Sequence, residues 1–227
     1  MTNVATPPDG PTADDILERL RNLADPAEFA KISTRVDPGQ VIGVRMKYQF
    51  DLAKQESAMD LDEVRLLLRS RWYEGRMVAV SILDARARRS PADTAERGAL
   101  YELYLSEHDH IDTWDLVDRA APRVIGDYLL HRSRAPLFEL AGSANVWERR
   151  TAITAAFWII RSGDLDDPLT IADLLLDDGE QFVQTSVGTA LREVGRVDPQ
   201  RLDAFVARNV GRISPTTRRL MKDASSR

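Results

Sequence analysis

Apolar side chains recur along this chain every three or four positions and almost nowhere every second position. Ile16, Leu20 and Leu23 follow Thr12, a natural helix N-cap, and Leu61, Val64, Leu67 and Leu68 form a second stripe. Met77, Val80, Leu83 and Ala87 form a third, and Leu100, Leu103 and Tyr104 a fourth. The second half repeats the pattern with Ile153, Ala156, Phe157 and Ile160, then Val183, Val187, Ala190, Leu191 and Val194. Spacings of three and four place side chains on one face of a helix, so the pattern predicts an all-α fold.

Stop and start signals punctuate these stripes at short intervals: Asp37-Pro38-Gly39, Ser90-Pro91, Ala121-Pro122, Ser162-Gly163, Asp178-Gly179, Asp198-Pro199 and Ser214-Pro215. Helices of about 8 to 18 residues with short connections suggest stacked antiparallel pairs, an α-solenoid or superhelix of HEAT-like repeats. No strict sequence period marks the repeat, so a compact bundle is the other arrangement the pattern allows. The expected organisation is a short leader over residues 1–11, flexible and without signal-peptide character, followed by one helical domain over 12–227.

A composition of 43% hydrophobic and 30% charged residues belongs to a water-soluble globular chain. No cysteine is present, which removes disulfides, thiol nucleophiles and Cys-ligated zinc and suits the cytoplasm. No stretch approaches the roughly 20 apolar residues of a membrane span. The net charge of -5 argues against binding nucleic acid through overall positive charge, yet every charged residue from Arg208 to Lys222 is basic. Local potential rather than net charge decides binding, so a basic face remains open.

Motif absences narrow the chemistry. Phosphate-loop, zinc-protease and serine-hydrolase signatures are missing, and His108 and His110, two apart, cannot share a helix face to bind a metal. The informative stretch is DTWDLVD, Asp112 to Asp118. Asp112 and Asp115 flank a helix start, where carboxylates cap the chain and meet the positive end of the dipole. Leu116, Val117 and Ala120 supply a buried stripe, and Trp114 and Asp118, at i and i+4, share another face. In NVWERR, Asn145 and Glu148 have capping-box spacing, Trp147 reads as a core or staple residue, and Arg149 and Arg150 point about 100° apart. Thr185, Thr189, Arg192 and Arg196 form a polar stripe beside the apolar one on a later helix, which by itself is an ordinary solvated face.

Three ordered segments, IDTWDLVDRAAPRVIGDYLL (Ile111 to Leu130), NVWERRTAI (Asn145 to Ile153) and VGTALREVGR (Val187 to Arg196), resemble the signatures of the AlkD-type DNA alkylation repair glycosylases, with weaker similarity back through IGVRMKYQF to LADPAEFAK. The resemblance implies a HEAT-like superhelix that grips duplex DNA and removes cationic N3- and N7-alkylpurines without base flipping, metal or cofactor, as a monomer. It implies that Asp118 is the catalytic aspartate, Trp114 the sugar-contacting tryptophan and Arg150 the supporting arginine. Arg192, Thr189, Thr185 and Arg196 would lie against DNA, as would Arg45 and Lys47 of the GVR segment. An alkylated purine is already a cationic leaving group, so the need is for a fixed carboxylate beside the sugar as it turns into an oxocarbenium ion.

Departures from the family pattern point to altered function. Thr189 stands where a second active-site tryptophan is usual, Thr185 where a basic residue is usual, and Lys47 where proline is usual. One aromatic wall and one phosphate contact are expected to be lost, leaving weakened activity or a site for bulkier adducts. A non-catalytic HEAT-like scaffold binding DNA or protein is the alternative expectation, and a compact helical regulator without a groove ranks behind it.

Overall fold

A computed structural model describes residues 10–91 and 94–222. The described residues are helical and contain no strand, as the spacing predicts. The expected leader lies largely outside them. Contacts divide the chain into two compact units, one ending at Ile111 and the other beginning at Asp112.

In the first unit, α1 (Ala13–Arg21), α2 (Pro26–Ile32), α3 (Met46–Gln55), α4 (Leu61–Leu68), α5 (Tyr73–Arg89) and α6 (Ala95–Ser106) surround a core centred on α5. Thr12 and Asp15 complete a reciprocal capping box at α1, so two otherwise orphaned N–H groups are satisfied. Leu23 falls beyond the end of α1 and is exposed, because the helix closes at Asn22 before the stripe reaches it. α5 is buried on nearly every side, and the cost of burying its charged Glu74 is met by hydrogen bonds. Glu74 Oε1 accepts from the backbone N–H groups of Gly43 (2.8 Å) and Val44 (3.3 Å), and Oε2 accepts from Ile42 (3.0 Å). Gly43 has φ +96, and a Cβ there would come within 2.8 Å of the Phe29 Cβ. Only glycine lets the segment curl around the carboxylate.

The second unit holds α7 (Trp114–Ala121), α8 (Ala135–Ala141), α9 (Val146–Arg161), α10 (Asp166–Leu174), α11 (Gln181–Val197), α12 (Pro199–Arg208) and α13 (Pro215–Lys222). α9 packs against α7, α8, α10 and α11, and α11 against α12 and α13. Side-chain contacts reveal a repeat that residue identities hide. Arg150 bonds Asp118, Arg150 bonds the Phe182 carbonyl, and the hydroxyls of Thr154 and Ser186 meet at 3.2 Å, all at a separation of 32 residues. A constant offset means that α7, α9 and α11 run in the same direction and nearly in register. The intervening helices bring the chain back, which is the helix-pair arrangement of a helical repeat.

Pro122 does not break the chain as expected. The helix of α7 runs on as a π-helical turn, Pro122–Asp127. Proline has no N–H for the carbonyl of Asp118 and its ring crowds that carbonyl, and the wider π turn accommodates both. Gly126 then lies against α9 so closely that a Cβ would sit 2.1 Å from the Ala155 carbonyl oxygen. The backbone that carries Asp118 is thereby locked onto the helix that carries Arg150. Among the described residues no helix is long and apolar enough to cross a membrane.

Candidate active site

Leu116, Val117, Ala120 and Ala121 are fully buried and fix the face of α7 that looks into the core. Thr113 and not Asp112 is the N-cap residue, and its side chain makes no capping bond. Its hydroxyl donates to Asp115 Oδ1 at 2.6 Å, and the same oxygen accepts from the Leu116 N–H at 3.1 Å. Asp115 is therefore a buried helix-start carboxylate, close to its expected role, whereas the cap assigned to Asp112 belongs to Thr113. What remains on the other face is Trp114, 39% exposed, and Asp118, as the i, i+4 spacing predicts.

Asp118 is held by Arg150 across the α7–α9 contact. Arg150 Nε donates to Oδ1 at 3.0 Å and Nη2 to Oδ2 at 2.8 Å, the two-pronged geometry that fixes a carboxylate plane. Arg150 is only 4% exposed, and its Nη1 donates to the backbone carbonyl of Phe182, so α11 completes the anchor. Asn145 caps α9 by accepting from the Trp147 N–H at 2.9 Å, an ordinary N-cap bond in place of the capping box that the Asn145–Glu148 spacing suggests, and this sets the helix phase that aims Arg150 inward. Arg149, about 100° away, is tied instead to Asp178 at 2.6 Å. Burial raises the pKa of Asp118; the Arg150 bonds and charge oppose this, and the nearby Asp115 charge adds to it, for a net upward shift.

The carboxylate opens into a pocket of about 350 Å³ lined by Trp114, Phe157, Phe182, Gln181, Thr185 and Thr189, with Ser186 behind them. Larger clefts of about 530 and 600 Å³ border α10, but Asp166 and Arg201, which line both, are paired with each other. The smaller pocket draws interest because an oriented carboxylate meets aromatic faces there. Two of its walls escaped the sequence reading. Phe157 belongs by spacing to the core stripe of α9 yet reaches the pocket, and Phe182, 44% exposed, packs at a tilt against Trp147 with centroids 5.1 Å apart. The aromatic wall expected to vanish with Thr189 is thus partly supplied from other positions. Trp147, expected in a core or staple role, is the support behind Phe182.

Thr185 and Thr189 both line the pocket, each donating its hydroxyl to the carbonyl four residues earlier, Gln181 (2.8 Å) and Thr185 (3.0 Å). With the protons so used, what they can offer an occupant is acceptor lone pairs. Arg192 and Arg196 continue the stripe past the pocket and pair with Glu193. Arg45 and Lys47 lie in the first unit, where Arg45 pairs with Asp25 and Glu28 and Lys47 with Asp51 at 2.6 Å. The basic segment after Arg208 is less open than its composition suggests, because Arg212 is neutralised by Asp173 and Asp177. Among the described residues no cluster of His, Asp or Glu is arranged to hold a metal ion.

Comparison with known proteins identifies the family of this helical chain. The sequence model of the DNA alkylation repair enzyme family matches residues 16–220, and the chain belongs to that family. Among solved structures it is similar to a predicted DNA alkylation repair enzyme from Enterococcus faecalis, with a TM-score of 0.67 and 19% identity over 90% of this chain and 97% of that one. It is also similar to AlkD2 from Streptococcus mutans, with a TM-score of 0.59 and 17% identity over 95% and 98% of the two chains. These likenesses establish a shared helical fold. None of the curated proteins compared with the chain matches it.

Proposed function

We propose that the protein is a DNA glycosylase that excises cationic N3- and N7-alkylated purines from duplex DNA. The observation that carries the reading is Asp118, fixed by two hydrogen bonds from a buried arginine and open to a pocket walled by Trp114, Phe157 and Phe182. The N-glycosidic bond breaks with its electron pair passing to the purine nitrogen, which cancels the positive charge of the alkylated base. Charge appears on the deoxyribose, where the Asp118 carboxylate opposes it and the indole face of Trp114 adds cation–π attraction of about 0.5–2 kcal/mol. Water then adds to C1′ and its proton passes to Asp118 or to solvent. No acid is needed at the leaving group, which fits a site without histidine. A base left in its stack needs no pocket for itself, so a pocket sized for a sugar is sufficient.

Release of N7-methylguanine from a defined duplex tests this. Wild-type protein should release the base well above the spontaneous rate, and release no faster than buffer would reject it. The alternative, a scaffold without catalysis, draws on Thr189 in the place of an aromatic. It predicts no release together with weak or absent duplex binding even at low salt, and tight, steeply salt-dependent binding would count against it.

A further inference from the structure

The groups that the pocket beside Asp118 offers an occupant are electron-rich. Trp114, Phe157 and Phe182 wall it, and an aromatic ring carries partial negative charge on its face. Thr185 and Thr189 spend their hydroxyl protons on backbone carbonyls, so lone pairs are what they have left to give. The other two polar side chains in the lining are engaged elsewhere. The Gln181 amide nitrogen donates to the Thr216 hydroxyl at 3.1 Å, and the Ser186 hydroxyl meets that of Thr154 at 3.2 Å. The Asp118 side chain keeps 38% exposure whereas that of Arg150 keeps 5%, so an occupant meets the carboxylate with the guanidinium behind it.

Such a lining discriminates among small guests. An anion would be repelled by Asp118 and the ring faces. A compact metal cation keeps its water unless several oxygen ligands replace it, and among the described residues no cluster of His, Asp or Glu is arranged to do so. A quaternary ammonium ion spreads its charge over methyl groups and holds water weakly, which suits it to an aromatic cage. A hydroxyl on the same ion would find acceptors in Thr185 and Thr189, one helical turn apart. The volume of about 350 Å³ lies within the range of small-molecule sites. The cage is also held in shape, since Phe182 packs on Trp147 and both oxygens of Asp118 are bonded by Arg150.

We infer that the pocket is a receptor for a small quaternary ammonium solute that carries a hydroxyl group. Cation–π contact with Trp114, Phe157 and Phe182 and the charge of Asp118 hold the cation, and its hydroxyl donates to Thr185 or Thr189. The inference goes beyond the glycosylase reading because the solute binds without DNA. Where both hold, the solute takes the place proposed for the deoxyribose and competes with it.

The test is isothermal titration calorimetry of the full chain with choline chloride, sodium chloride keeping the ionic strength constant. The comparison ligand is 3,3-dimethylbutan-1-ol, which has choline's shape with carbon in place of the charged nitrogen. Choline should bind saturably at one site, about tenfold or more tightly than the alcohol, because several rings and a carboxylate act on its charge. Tetramethylammonium, without the hydroxyl, should bind about 2- to 10-fold more weakly than choline. Phe182→Ala should weaken choline binding about 2- to 30-fold, and Asp118→Asn about 5- to 50-fold. Equal binding of choline and the alcohol, or no saturable binding of choline, would overturn the inference, and this comparison needs wild-type protein alone. Choline affinity that Phe182→Ala and Asp118→Asn, both folded by thermal melting, leave unchanged would overturn it as well. Base release from an N7-methylguanine duplex keeps the two readings apart. Choline binding without release defeats the glycosylase alone, and release without choline binding defeats the receptor alone. Where both occur, excess duplex should overcome inhibition by choline, and inhibition that excess duplex leaves in place would put the cation outside the pocket.

Discussion

Two carboxylates, Glu74 in the first unit and Asp118 in the second, are each carried on a helix and held by several hydrogen bonds, yet they serve opposite ends. Glu74 is wholly buried, and the backbone N–H groups of Ile42, Gly43 and Val44 converge on it. Asp118 is bound as firmly on one edge by Arg150, but its side chain keeps 38% exposure and faces a pocket. A sealed carboxylate fastens a loop to a helix, whereas one clamped from behind and open in front is ready to meet charge that develops in the pocket. The difference lies in where the unsatisfied lone pairs point, not in residue type or in the number of bonds.

Replacing each carboxylate by its amide breaks the comparison most directly. Asp118→Asn should lower single-turnover base release by about 10²–10³-fold, equivalent to roughly 3–4 kcal/mol of transition-state stabilisation, with little change in melting temperature. A modest drop in rate would show that the pocket acts without this charge. Glu74→Gln should do the reverse. An amide has one oxygen and turns its NH₂ donors toward backbone N–H groups, so unfolding free energy should fall by about 2–4 kcal/mol while the rate per folded molecule changes only a few-fold. Urea titration measures the first quantity and single-turnover release from native protein the second.

The pH dependence sharpens the contrast at Asp118. Its pKa lies above the ordinary aspartate value because burial disfavours the charge. A raised carboxylate pKa means that the folded state binds the proton more tightly than the unfolded chain does. The stability this contributes is present below the unfolded pKa and lost as pH rises through the folded one. Ionised Asp118 therefore burdens the fold slightly at neutral pH. Catalysis needs the ionised form, so base release above background should fall on acidification at a higher pH than an unperturbed aspartate would give. Arg150 pulls the pKa down, so Arg150→Gln should move that midpoint upward as well as reduce the rate. A midpoint that stays put would separate Arg150 from the titration.

The helices and the Trp114–Asp118–Arg150 group were legible in the sequence because both follow from spacing along single helices and from ordered motifs. Other features depend on partners remote in sequence. Glu74 reads as one acid in a long helix, since its three donors come from about thirty residues earlier. Pro122 reads as a break because the π turn that absorbs it is held by the contact of Gly126 with Ala155. The offset of 32 residues joins unlike residues, an aspartate to an arginine and then a threonine to a serine, so no residue-level period reveals it. Phe157 sits within an apolar stripe and Phe182 beside the buried Val183, where each looks like more core.

Phe182 supplies the finest distinction between the two carboxylate environments, because it gives the open one an aromatic wall. Its ring is exposed enough to meet an occupant, while its contact with Trp147 holds it in place, and its backbone carbonyl anchors Arg150 whatever the side chain. Phe182→Ala should therefore leave the Asp118–Arg150 geometry intact and remove only the ring. A cation–π contribution of about 0.5–2 kcal/mol corresponds to a roughly 2- to 30-fold loss in rate. The pH midpoint of base release should stay near that of the wild type if the ring acts on the sugar and not on Asp118. A loss nearer that of Asp118→Asn would instead mean that Phe182 positions Arg150 through its side chain, which would move the boundary of the site from the pocket surface to the packing behind it.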